Sequence, residues 1–164
     1  MTDNYHWKVF WTVGIALFAM VLDFSIVFLA LSSIADEFEV TLRAVTWVAI
    51  STSLVTSAIM LPLGRVADIT GRKKFHIAGM FFFVAGALLA FSAQNLEMLI
   101  VARVVMAIGA SMGQAVVFAI IVGTFPDKER GKALGMITTM VAIGAAAGPI
   151  VAGPIMQAFE RRAV

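Results

Sequence analysis

An all-α membrane protein with five transmembrane helices is the fold class this sequence predicts, on three observations. The 164 residues are 61% hydrophobic with a mean hydropathy of +0.98, well above the roughly half-apolar, quarter-charged composition of soluble domains. Five apolar runs, at 9–32, 45–63, 75–93, 96–123 and 133–156, reach or nearly reach the about 20 residues that cross about 30 Å of hydrocarbon as helix. Charged residues gather between the runs and are sorted by side, as the orientation rule for membrane loops requires.

The first run opens beside Lys8, with Tyr5, Trp7 and Trp11 placed to anchor its end at the membrane interface. Small residues Ala30, Ser32, Ser33 and Ala35 follow it and would suit signal cleavage, but the run is longer than a signal core and contains Asp23, so it is read as a retained helix. The second run starts near Trp47, another interfacial anchor, after a connection carrying Asp36, Glu37, Glu39 and Arg43. Its hydroxyls Ser53, Thr56 and Ser57 are expected to bond back to their own helix and are assigned no site. Between the second and third runs, Gly64 to Lys74 reads as a short hairpin with a glycine at each end for tight turning, four bases and the carboxylate Asp68. The fourth run holds Arg103, and on a helix Arg103, Ala107, Ala110 and Gln114 share one face, suited to a cavity or a close helix contact. The fifth, after the charged connection Phe125 to Lys132, contains Gly144, Gly148, Pro149, Ala152 and Gly153. Gly144, Gly148 and Ala152 form a small-residue face for close backbone approach, and Pro149 weakens the helix where it could bend.

Lys8, Arg65, Arg72, Lys73, Lys74, Lys128, Arg130 and Lys132 fall on one side, against Arg43 alone in the loops of the other. The N-terminus is therefore expected in the cytoplasm of a cell bounded by an inner or plasma membrane. Arg161 and Arg162 then fall on the outer side, against the same rule. Short connections make neighbouring helices antiparallel and the unit compact. A formal charge of +2 with no basic face gives no reason to expect nucleic acid. The absence of cysteine leaves the redox compartment undetermined. His6 and His76 are expected as interfacial rings near helix ends, without ligand partners at metal spacing. No nucleophile with a base and no phosphate loop supports enzyme activity, and no cofactor is expected. Ten methionines and thirteen phenylalanines are expected to face lipid and other helices for the most part, and could also line an adaptable apolar cavity.

Asp23 and Arg103 are the costly residues, since a charge near the bilayer centre is unfavourable by about 2.5–3.5 kcal/mol even on the lenient scale. Counted along their helices, they lie about 13 Å and about 10 Å below the outer surface. At such depths each is the natural partner of the other, as a static ion pair or a functional one.

The hairpin resembles the signature loop of the major facilitator superfamily, G-x-L-[AS]-D-[RK]-x-G-[RK]-[RK]. Gly64, Ala67, Asp68, Gly71, Arg72 and Lys73 match in place, while Val66 and Ile69 depart. Leu22 to Val27 is similar to the L-D-x-[ST]-[IV]-[IV] start of drug:proton antiporters with fourteen helices. Arg103 and Gly109 match part of R-x-x-Q-G-x-G, with Met106 in place of the glutamine and Ala107 in place of the first glycine. Gly144 to Gly153 resembles the antiporter signature G-x-x-x-G-P-x-x-G-G, with Ala152 for one glycine. Phe125 to Ala133 resembles the loop between helices four and five.

The resemblance implies that residues 1–164 form the N-terminal half of a transporter without its sixth helix, an incomplete six-helix bundle of the major facilitator fold. It implies proton-coupled export of drugs or small solutes, with the proton as coupling ion and a hydrophobic small molecule as substrate. In that reading Asp23 and Arg103 handle the proton, and Gly64, Asp68, Gly71, Arg72 and Lys73 form a cytoplasmic gating loop. Gly144, Gly148, Pro149 and Gly153 permit rocking, Gln114 lines the cavity, and the missing C-terminal helices are the partner. Two alternatives stay open: a transport-incompetent membrane fragment or interaction partner, and a symporter or uniporter of the same superfamily.

Overall fold

The computed structural model describes residues 5–160, with side chains through Gly153. Arg161 and Arg162, whose position conflicts with the orientation rule, lie outside the described residues. The described residues form five helices: α1 (Tyr5–Glu37), α2 (Leu42–Thr70), α3 (Arg72–Phe91), α4 (Leu96–Thr124) and α5 (Asp127–Glu160). All five are long and apolar enough to span a membrane.

Helices α1, α2 and α5 overrun their apolar spans at both ends. With 33 residues, α1 measures about 50 Å at 1.5 Å per residue, against about 30 Å of hydrocarbon. Hydropathy marks where the lipid stops, whereas a helix stops where its terminal groups find other partners. Two connections are corrected on this account. The segment from Gly64 to Lys74 is not a hairpin loop. Gly64 lies inside α2, and the turn is the single residue Gly71, at φ 98°, whose N–H donates to the Ala67 carbonyl at 3.0 Å. The charged connection after α4 shrinks likewise to Phe125 and Pro126, because α5 begins at Asp127. The Pro126 carbonyl accepts from the N–H groups of Glu129 at 2.9 Å and Arg130 at 3.1 Å, and Asp127 and Glu129 suit the positive end of the helix dipole.

Other ends are closed by side chains and backbone. The Asn95 side chain accepts from the Met98 N–H at 2.8 Å to start α4, and Thr41 does the same for Ala44 at 3.3 Å to start α2. At the end of α1, Glu39 turns the chain at φ 51°, and the Val40 N–H returns to the Ala35 carbonyl at 3.0 Å.

Helices α1 and α4 are the centre of the bundle. One core cluster joins Phe10, Val13 and Leu17 of α1 to Val117 and Ile121 of α4 and Ile137 of α5. A second, toward the other end, joins Val27 of α1, Val45 and Val48 of α2 and Leu99 of α4. Helix α5 packs on α1 much as α2 packs on α4, the pattern of a two-fold relation in which α1 corresponds to α4 and α2 to α5. Helix α3 makes the most extensive contact, on α4, and outward it presents apolar residues such as Phe81 and Leu88, which suits lipid.

Candidate functional site

Asp23 lies midway along α1 and Arg103 two turns into α4. Arg103 Nη1 donates to both carboxylate oxygens of Asp23, at 3.1 Å to Oδ1 and 2.9 Å to Oδ2. The Arg103 side chain is 14% exposed and that of Asp23 33%, so the pair lines an open space without being sealed from it. The two charges compensate one another where each alone would be costly. Arg103 Nε is buried with no partner among the described residues, so the guanidinium keeps donor capacity beyond the pair.

That space is a cavity of about 290 Å³ between α1, α2, α3 and α4. Arg103, Ala107, Ala110 and Gln114, the face expected from helical spacing, all line it. Asp23, Met20 and Phe24 contribute from α1 and Phe83 from α3. The remaining wall corrects the sequence reading: Thr52, Ser53, Thr56 and Ser57 of α2 also line the cavity. Thr52 does bond back to the Val48 carbonyl at 3.0 Å, whereas Ser53, Thr56 and Ser57 make no such bond among the described residues. The available signal was the recurrence of hydroxyls four residues apart, which gives an apolar helix one polar stripe.

The glycine turn sits elsewhere, at one end of the bundle. Arg72 donates to Asp68 Oδ1 from Nε at 2.9 Å, and its Nη1 reaches the Ala119 carbonyl of α4 at 3.3 Å. These contacts join α2, α3 and α4 around Gly71, with Lys73 exposed beside them. Gly64 makes no close contact, and a Cβ there would meet nothing within 4 Å. The same end collects the start of α1. His6 lies 3.7 Å from Glu129 and edge-on to Phe125, Trp7 packs on Phe125, and Lys132 lies 5.7 Å from the Trp7 ring centroid. Trp7, expected as an interfacial anchor, is held by this packing. His76, in the second turn of α3, is more enclosed than an interfacial ring was expected to be: it is 4% exposed and faces Gly113 of α4.

On α5, the small-residue face meets α1. A Cβ on Gly144 would fall 3.3 Å from the Phe18 carbonyl oxygen, and one on Gly148 would fall 2.5 Å from Ser25 Cβ. Gly153 has open space, and Pro149 lies within a helix that continues through it. The expected site residues therefore fall into three groups, the charged pair with Gln114, the turn at Gly71, and the α5 face against α1, with Gly64 and Gly153 outside all three.

Comparison with known proteins agrees with this architecture. The chain is 35% identical over 153 residues to the riboflavin transporter RibZ of Clostridioides difficile, covering 93% of this chain and 34% of that protein. It is 29% identical to the multidrug resistance protein Stp of Mycobacterium tuberculosis, over 92% of this chain and 28% of Stp. It is 32% identical to multidrug resistance protein 3 of Bacillus subtilis, over 90% of this chain and 28% of the relative. The chain thus spans about a third of the length of the curated relatives it matches. The profile described as Major Facilitator Superfamily matches residues 13–164. With that match over most of the chain and five described helices long and apolar enough to span a membrane, the chain belongs to the major facilitator superfamily, a family of multi-pass membrane transporters.

Proposed function

We propose that this chain supplies one wall of the translocation pathway of a proton-coupled exporter of small, largely apolar molecules. The observation that carries the reading is the Asp23–Arg103 pair in the wall of a cavity within the membrane-spanning helices. A carboxylate that gains a proton lets go of its guanidinium, and one that loses it pairs again, so proton binding is coupled to the charge facing the cavity. Met20, Phe24, Phe83 and Met106 give the cavity an adaptable apolar lining, while Gln114 and the α2 hydroxyls provide donors and acceptors. The names of the relatives, a riboflavin transporter and multidrug resistance proteins, support a small-molecule substrate.

Alternating access needs a second bundle around a central site. The remaining wall comes from further helices of the same transporter, and the two-fold relation supports a place for one of them. The counterpart of α3 on α4 is a helix on α1, beside the groove of about 510 Å³ lined by Lys8, Thr12, Arg72 and His76. The end bearing Lys8, Arg72 and Lys128 faces the cytoplasm, where the contacts around Gly71 latch α2, α3 and α4.

Transport in proteoliposomes under an imposed proton gradient tests the reading. A complete transporter carrying this chain should drive export that Asp23→Asn abolishes, and the 164-residue chain alone should give no flux above empty vesicles. Full gradient-driven flux with Asp23→Asn would overturn proton coupling through Asp23. Flux by the short chain would overturn its role as one wall only.

A further inference from the structure

We propose that Ser25 is a positioning residue, whose hydroxyl replaces the amide donor that Pro149 lacks and so clamps α1 to α5 at the level of Asp23. Proline has no N–H, so within α5 the Ala145 carbonyl, four residues before Pro149, loses its helical donor. In hydrocarbon no water can take its place, and prolines are tolerated in membrane helices where neighbouring side chains bond the freed backbone group. Ser25 Oγ donates to that carbonyl at 2.8 Å.

The geometry is specific to this place. Other helical hydroxyls, including Thr12, Thr46, Ser111, Thr124 and Thr138, bond to the carbonyl four residues earlier in their own helix. Among the described residues, Ser25 alone sends its hydroxyl to another helix. Gly148 provides the socket, since a Cβ there would fall 2.5 Å from Ser25 Cβ and 3.1 Å from the Ser25 backbone carbon. Three consecutive features of α5 thus fit one serine: Ala145 accepts, Gly148 makes room and Pro149 removes the competing donor. Pro62 offers a contrast in α2, because no described side chain donates to the Ala58 carbonyl that it frees.

The consequence reaches the charged pair. Two residues along an α-helix turn the side-chain direction by about 200°, so Asp23 and Ser25 lie on nearly opposite faces of α1. Asp23 is held from α4 by Arg103, and Ser25 from α5 by the Ala145 carbonyl. Gripped on both faces at one level, α1 cannot rotate about its axis, and the Asp23 carboxylate stays aimed at the cavity. This clamp is a property of the chain itself and does not depend on its transporting anything.

The test is a double-mutant cycle on the chain in lipid nanodiscs, combining Ser25→Ala with Pro149→Ala. Restoring an N–H at residue 149 gives Ala145 its own donor, so Ser25→Ala should then cost little. With Pro149 present it should lower the folding equilibrium by about 3-fold to about 18-fold more, the range of interhelical hydrogen bonds in membranes. Ser25→Thr, which keeps the donor, should lose clearly less than Ser25→Ala, and this comparison stands even if the Pro149→Ala chain does not fold. The positioning role is read by infrared spectroscopy, from the Asp23 carboxylate stretch assigned by its loss in Asp23→Asn. That band should move in Ser25→Ala and stay in place in Ser25→Thr. Equal losses in both proline backgrounds, a threonine variant no better than alanine, or an unmoved carboxylate band would overturn the proposal.

Discussion

Gly109→Ala should destabilise the bundle by about 2 kcal/mol, although alanine is the better helix former. A Cβ on Gly109 would meet the Phe83 amide nitrogen, lie 2.5 Å from the Gly79 carbonyl oxygen and 2.9 Å from the Phe82 carbonyl carbon. All three are backbone atoms of α3 and none can swing aside. Ordinary contact starts at 3.4 Å, so the helices must part by about 1 Å, the scale of shift that overpacking forces on a packed core. Parting them disturbs a contact that is tight along its length, because Cβ atoms on Gly79 and Gly86 would also collide with α4 backbone. Overpacking of this kind costs about 1–3 kcal/mol, with rigid backbone on every side placing it at the upper end, and removing a helical glycine returns about 0.5–1 kcal/mol. Gly135→Ala is the control: it meets nothing within 4 Å, so only the propensity gain remains and the chain should become slightly more stable. Equilibrium unfolding of both variants in bicelles measures the difference, expected at about 3 kcal/mol, or more than 100-fold in the folding equilibrium. If Gly109→Ala matched or exceeded the parent, or if both alanines shifted stability alike, the α3–α4 contact could not be as close as described.

Further expectations follow from the same geometry. Asp23→Asn and Arg103→Ala should each destabilise the chain, and the double variant should lose clearly less than the sum, since the second change removes a charge the first left unpaired; strictly additive losses would mean the residues do not meet. Asp68→Asn should cost under about 1 kcal/mol, because the Asp68–Arg72 pair is half exposed, at 56% and 46%; a loss of about 2 kcal/mol or more in an unfolding titration would contradict this. Gly71→Ala should destabilise by about 1–2 kcal/mol despite open space around it, because φ is 98°, and a neutral result would refute the strained turn. In oriented membranes, cysteine at Glu39 should react with an impermeant reagent only from outside and cysteine at Lys128 only from the cytoplasm; the reverse pattern would invert the topology.

The five spans were legible in the sequence because the bilayer imposes a length and a composition that few other environments demand. The start of α4 at Leu96 was legible too, and the structure adds that Asn95 caps it. Asp23 and Arg103 could be paired by depth alone, since a charge inside a membrane has few partners to choose from. Helix ends were not legible from hydropathy, which reports the lipid boundary while the backbone follows its hydrogen bonds. Gly64 therefore passed for a turn and lies within α2, whereas Gly71 alone makes the bend. The four-residue spacing of the α2 hydroxyls marked a polar stripe but not what it faces, and Ser25 of α1 carried no such signal, for a related reason. A serine in an apolar helix can bond to its own backbone, line a cavity or cross to a neighbour, and the choice depends on which face meets which helix. That is set by lateral packing, through contacts such as Gly148 on Ser25 and Gly109 on Phe83, between residues more than 20 positions apart in the chain. Periodicity reports which residues share a face, but only the assembled bundle determines what that face touches.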